Sequence, residues 1–180
     1  MNSPASDARD LAVLEVQLGR PTQGESVVAR RCHFQLPVVV EVAPVTADGR
    51  PFPTLYWLSC PLARRRVARI EERGTVKELD RRLAEDPEFA RALEEAHAAY
   101  AEAREARLPD DVERVPSGGI GGTSGGVKCL HAHLAEYLVL GRSPAGRVVH
   151  DEIMPLDCAA PCVVVEGDHA EKNPAYREPR

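Results

Sequence analysis

The sequence predicts an α+β fold in which a small antiparallel sheet from the N-terminal half packs against several helices. Two observations predict it. Runs rich in β-branched residues cluster early, at Ser26–Phe34, Pro37–Val42 and Thr54–Ser59, whereas helix-type periodicity and capping signals dominate from Pro61 onward. Strands that precede helices, rather than alternating with them, argue against a parallel βαβ sheet. With 180 residues, 43% of them apolar and 28% charged, the chain can bury a sizeable core.

Residues 1–25 read as a lead-in, disordered over 1–7, with a short helix at Arg9–Leu18. Leu11, Leu14 and Leu18 keep helical spacing there, and Gly19-Arg20-Pro21 stops it. The core domain is expected over 26–150. Pro37–Ser59 reads as a hairpin whose long loop holds the Asp48-Gly49 turn signal, with Pro53 and Pro61 bracketing the last strand. Leu62–Arg73 is helix-compatible and closes at Gly74. Thr75-Val76-Lys77-Glu78 matches a capping box with Thr75 as the cap. Asp86-Pro87-Glu88 opens a helix running to about Arg107. Pro109–Gly126 is a loop, Val127–Leu140 a helix stopped by Gly141, and Arg142–Met154 one more helix. Residues 151–180 read as a partly disordered extension, with an edge strand at Cys162–Val165 and a frayed tail from Gly167.

Composition removes several classes of function. A net charge of −5 argues against a dedicated nucleic-acid binder, and eight aromatic residues leave few stacking platforms. Arg64-Arg65-Arg66 and Arg69 are followed by Glu71-Glu72, the pattern of a solvated helix face. No apolar run is long enough to cross a bilayer and no signal-type start is seen, so no membrane association and a cytoplasmic location are expected. Five cysteines, an odd number, speak against a secreted disulfide framework and leave free thiols, metal ligands or a nucleophile.

The strongest local signal is Ser117–Gly126, with six glycines in ten residues flowing into a helix. Amides of Gly121, Gly122, Gly125 and Gly126 can form an anion-binding nest, with Lys128 adding a point charge, so a small anionic ligand is the expected partner. Val127-Lys128-Cys129 departs from a Walker A loop, which needs a hydroxyl where Cys129 stands. A thiol in the first turn of a helix is expected to have a lowered pKa. With about 100° per residue, Cys129 and His133 share a face, while His131 turns toward the apolar side as a buried, hydrogen-bonded histidine. His97 falls on the stripe of Phe89, Leu93, Tyr100 and Arg104, and Cys60 marks a strand-to-helix junction. Cys32 sits in a strand, where alternation lets either Cys32 or His33 face inward. Cys158-Ala159-Ala160-Pro161-Cys162 lacks the spacing of a zinc knuckle and is a weak metal signal.

Arg31-Cys32, the Pro51–Pro61 segment with its Trp57-Leu58-Ser59-Cys60-Pro61, Ala96-His97 with Tyr100 and Arg104, and Gly126-Val127-Lys128-Cys129-Leu130-His131-Ala132-His133 resemble the bacterial domain-of-unknown-function family 501. The likeness spans about residues 26–150. It carries no established activity and implies a shortlist of Cys32, Cys60, His97, Cys129 and His131. Glu136 stands where that family often shows histidine, and Cys158 and Cys162 lie outside the likeness.

Two chemistries and a bland alternative follow. In the first, Cys32, Cys60 and Cys129, completed by His97, His131 or His133, hold zinc or an iron–sulfur cluster beside the glycine loop. In the second, Cys129 is a nucleophile with His97 or His133 as base and the glycine amides as anion donors. The third is a non-enzymatic interaction module whose cysteines only pack.

Overall fold

A computed structural model describes residues 6–22, 25–46, 49–110, 112 and 114–179. Most of the 1–7 lead-in and Asp48 of the expected turn lie outside these residues. Helix α1 (Ala8–Leu18) starts where Asp7 accepts the Asp10 amide at 2.8 Å and ends at left-handed Gly19. Strands β1 (Ser26–Arg31), β2 (Pro37–Val42) and β3 (Tyr56–Leu58) form an antiparallel sheet in that order. The register pairs Val28 with Val40 and Val39 with Leu58. β2 is central and buried on both faces: Val39 joins the main core, while Val40 and Val42 pack with Leu14 of α1. Asp10 of α1 accepts two bonds from Arg31, at 2.6 and 2.8 Å, which fixes that helix against β1.

Helices α2 (Pro61–Glu72), α3 (Thr75–Glu85), α4 (Pro87–Glu105), α5 (Leu130–Leu140) and α6 (Pro144–Ile153) supply the rest of the main core. The expected α+β fold is the observed one. The Asp86 cap is present, accepting the Phe89 amide at 3.0 Å. The capping box is not: Gly74, at φ +91°, takes the cap position and α3 begins at Thr75, one residue early, with no side-chain cap. α5 lies between β3 and α6 and contacts both.

The C-terminal segment is ordered where fraying is expected. β4 (Val163–Glu166) and β5 (His169–Lys172) pair as a hairpin against α1. Val163 is buried with Val13 and Leu36, and Glu178 reaches back to Arg65 and Arg69 of α2 at 2.9 and 2.7 Å. Buried apolar area and paired charges offset the entropy of ordering this segment. Among the described residues, no helix is long and apolar enough to cross a membrane.

Candidate functional site

The start of α5 departs from the sequence expectation and thereby creates the site. Val127–Cys129 is not helical: Cys129 is extended (φ −145°, ψ 113°) and α5 begins at Leu130. Two carboxylates from other helices hold this segment. Asp80 of α3 accepts the Val127 amide at 2.7 Å, and Glu71, near the end of α2, accepts the Leu130 amide at 2.7 Å. With Cys129 off the helix, its partner is His131 rather than His133. The second oxygen of Glu71 lies 3.2 Å from His131 Nδ1, and the ligand atoms of Glu71, Cys129 and His131 all lie within 4.8 Å of one another. Both side chains stay open to solvent, 28% and 29% exposed.

His131 Nε2 lies 3.1 Å from the Arg64 carbonyl, which can only accept, so Nε2 carries a proton. Nδ1 therefore faces a carboxylate and a thiol. The neighbouring Cys129, against the effect of burial and with help from Glu71, raises the His131 pKa. Burial pushes the Cys129 thiol up, yet His131 and the nearby Ala132 amide outweigh it and leave the thiol below its ordinary value. The two shifts agree: a positive charge on the Nδ1 side is favourable, whether a proton or a metal cation supplies it.

His133 is the buried histidine. Its Nδ1 lies 2.9 Å from Ser143 Oγ, which itself accepts the Gly146 amide at 2.9 Å. Its ring meets that of His97 edge-on at 5.7 Å. Burial, then His97, push its pKa down to about 3, so it stays neutral.

His97 holds the glycine segment. Its Nδ1 accepts the Ile120 amide at 3.0 Å and its Nε2 donates to the Gly126 carbonyl at 3.2 Å, which leaves no ring nitrogen for a base or a ligand. A Cβ at Gly119 would stand 2.5 Å from His97 Nδ1, so the close approach requires glycine there. The segment forms a short 3-10 turn at Ile120–Gly122. Its amides find internal acceptors: Gly119 on Thr123, Gly122 on Gly119, Gly125 on the Thr123 hydroxyl. Gly126 lies against Asp80, where a Cβ would come within 3.0 Å of the carboxylate. Beyond the loop, Asp80 and Glu71 accept the Val127 and Leu130 amides. Gly121 packs on the Cys129 side, 3.8 Å from Cβ to Cβ if it carried one, and Lys128 is exposed. His97→Ala frees the Ile120 amide, and hydrogen exchange at Ile120 is expected to quicken at least about tenfold. An unchanged rate would show that another group holds the segment.

Residues 28–151, more than half of the chain, match the family described as Protein of unknown function (DUF501). The chain belongs to the DUF501 family. No curated protein and no solved structure matches it.

In this DUF501 chain the shortlisted thiols divide into two places. Among the described residues, no group of three ligand atoms within 4.8 Å contains Cys32 or Cys60. Those two line a cavity together with Cys158 and Cys162, and Cys129 is not among its walls. Cys129 therefore stands apart from Cys32 and Cys60, because α2 runs from Cys60 at its cap to Glu71 near its end. Glu71 was not anticipated as a ligand. The signal was available: an acidic pair at a helix C-terminus opposes the helix dipole and calls for a partner elsewhere.

His131 also lines a cleft of about 620 Å³ with Arg64, Arg65, Lys172, Asn173 and Tyr176. Arg65 is already paired with Glu178, and Arg64 and Lys172 are the cations of the cleft that favour an anionic occupant.

Proposed function

We propose that Glu71, Cys129 and His131 of this DUF501 protein hold a divalent transition metal, with zinc the best fit, and present it to a small anionic molecule in the adjoining cleft. The observation that carries this reading is the His131 tautomer: the Arg64 carbonyl fixes the proton on Nε2, and Nδ1 turns toward the Cys129 sulfur and a Glu71 oxygen. A carbonyl that holds the far nitrogen of a ligand imidazole is the usual outer support of a metal site. Sulfur, nitrogen and oxygen ligands suit zinc, and three protein ligands leave a position for water or substrate. Zinc bound in this way supplies Lewis-acid chemistry and lowers the pKa of its water toward neutrality. Arg64 and Lys172 would orient the anion.

A second reading uses the same atoms with a proton in place of the metal. The lowered Cys129 thiol beside a His131 of raised pKa makes a thiolate–imidazolium pair that Glu71 orients, the arrangement of a thiol nucleophile.

One experiment separates them. In metal-free protein, Cys129 is expected to alkylate at neutral pH at least about tenfold faster than Cys158, whose thiol burial raises. Under the metal reading, zinc then slows Cys129 alkylation by a further tenfold or more, and His131→Ala removes that protection. A Cys129 rate indifferent to zinc discards the metal reading and leaves the nucleophile. A slow rate in both conditions discards both.

A further inference from the structure

Four of the five cysteines gather away from Cys129. Cys32 stands in the turn after β1, Cys60 between β3 and α2, and Cys158 and Cys162 in the loop from α6 to β4. All four line one cavity of about 20 Å³, room for a single water-sized particle. Gln17 and Tyr176 also line it, and among the described residues no His, Asp, Glu, Lys or Arg does.

Several features suit these thiols to a common ligand. Gln17 is 6% exposed; its Nε2 donates to the Pro37 carbonyl at 3.0 Å and reaches Cys162 Sγ at 3.7 Å, while its Oε1 is buried without a partner. Cys60 is 7% exposed, and the Leu62 and Ala63 amides at the start of α2 point toward its sulfur without closing a capping hydrogen bond. Those amides are placed to support a thiolate. Burial nevertheless pushes the Cys60 thiol up to about 11 and raises Cys158 and Cys162 as well. Protonated thiols are poor nucleophiles and exchange slowly, which speaks against redox or covalent chemistry here. A soft cation replaces such protons because its bonds to sulfur outweigh the cost of ionising them. The loop is anchored by His33 Nε2 on the Cys158 carbonyl at 3.0 Å and by Asn173 on the Pro161 carbonyl at 2.7 Å.

We infer that Cys32, Cys60, Cys158 and Cys162 form a tetrathiolate site for a thiophilic divalent cation of the zinc class, which staples the loop after α6 to the β1–β2 turn and to the first turn of α2. Four S–H bonds break, four sulfur–metal bonds form and four protons pass to solvent. In every trio of these sulfurs at least one pair is more than 4.8 Å apart. A tetrahedron with metal–sulfur bonds of about 2.3 Å has edges of roughly 3.8 Å, so binding contracts the cavity. Cys162 also borders the wide cleft, which gives an ion a route from solvent. With four protein ligands this site is closed and structural. It shares no residue with Glu71, Cys129 and His131, so either site can fail without the other.

The test uses the full, reduced chain carrying Cys129→Ser, which silences the other site, and cobalt(II) as the probe. One equivalent is expected to bind with a sulfur-to-cobalt charge-transfer band. Adding Cys158→Ser or Cys32→Ser lowers that band by about a quarter and weakens binding at least about tenfold. A second measurement needs no substitution: zinc added to the wild-type chain protects Cys32, Cys60, Cys158 and Cys162 from alkylation together, read peptide by peptide. Absence of the band in the Cys129→Ser chain overturns the inference, as do four cysteines that alkylate at the same rates with and without zinc.

Discussion

Gly146→Ala is expected to destabilise the protein by about 3 kcal/mol or more, although alanine in a helix is ordinarily the better residue by roughly 0.5–1 kcal/mol. A Cβ at this position of α6 would stand 2.1 Å from the His133 carbonyl oxygen and 2.6 Å from Tyr137 Cβ. The first obstacle is backbone, so no rotamer change relieves it, and α5 and α6 must move apart. That separation also disturbs the two bonds that join Ser143, the cap of α6, to α5: its Oγ to His133 Nδ1 and its amide to the Glu136 carboxylate. Denaturant unfolding reads the effect as a lower midpoint at unchanged slope. A variant within 0.5 kcal/mol of wild type would show that the two helices do not approach so closely in solution.

The second large effect is a pH dependence hidden by cancellation. Glu136 and His133 are both fully buried on α5. Burial, against the bond from the Ser143 amide, raises Glu136 to about 7, while burial and His97 lower His133 to about 3. For Glu136 the folded pKa exceeds the ordinary 4.5, so its contribution is fully present below 4.5 and is lost as pH rises to 7. For His133 the folded pKa lies below the ordinary 6.5, so its contribution is present above 6.5 and is lost as pH falls to 3. Between pH 4.5 and 6.5 the two slopes, each about 1.4 kcal/mol per pH unit, oppose one another. Glu136→Gln removes one of them. The difference in stability between this variant and wild type is expected to change by roughly 2–3 kcal/mol across that interval, with the variant relatively weaker at the acid end. A difference that stays constant with pH would mean that Glu136 ionises in the folded protein as it does in water.

Much of the fold was legible because its determinants are local. Asp86-Pro87 starts α4 as the pattern requires, the β-branched runs become β1 and β2, and Gly141 ends α5. Failures arise where a partner distant in sequence decides. Val127-Lys128-Cys129 has no local reason to stay out of the helix; Asp80 and Glu71 hold it there by taking the Val127 and Leu130 amides. That three-residue delay reverses the histidines, turning His131 toward Cys129 and sending His133 to Ser143. The His97 role was hidden likewise, since a ring nitrogen's partners on Ile120 and Gly126 come from another segment. Cys158 and Cys162 look weak by spacing alone, because what gives them weight is the meeting of their loop with Cys32 and Cys60.

Glu71 performs two jobs with one carboxylate, and this governs how the centre should be dissected. One oxygen starts helix α5 and the other addresses the imidazole. Truncation to alanine therefore mixes scaffold damage with lost chemistry. Glutamine keeps an acceptor for Leu130 and discards the charge. Setting the two replacements side by side makes a single position its own internal control.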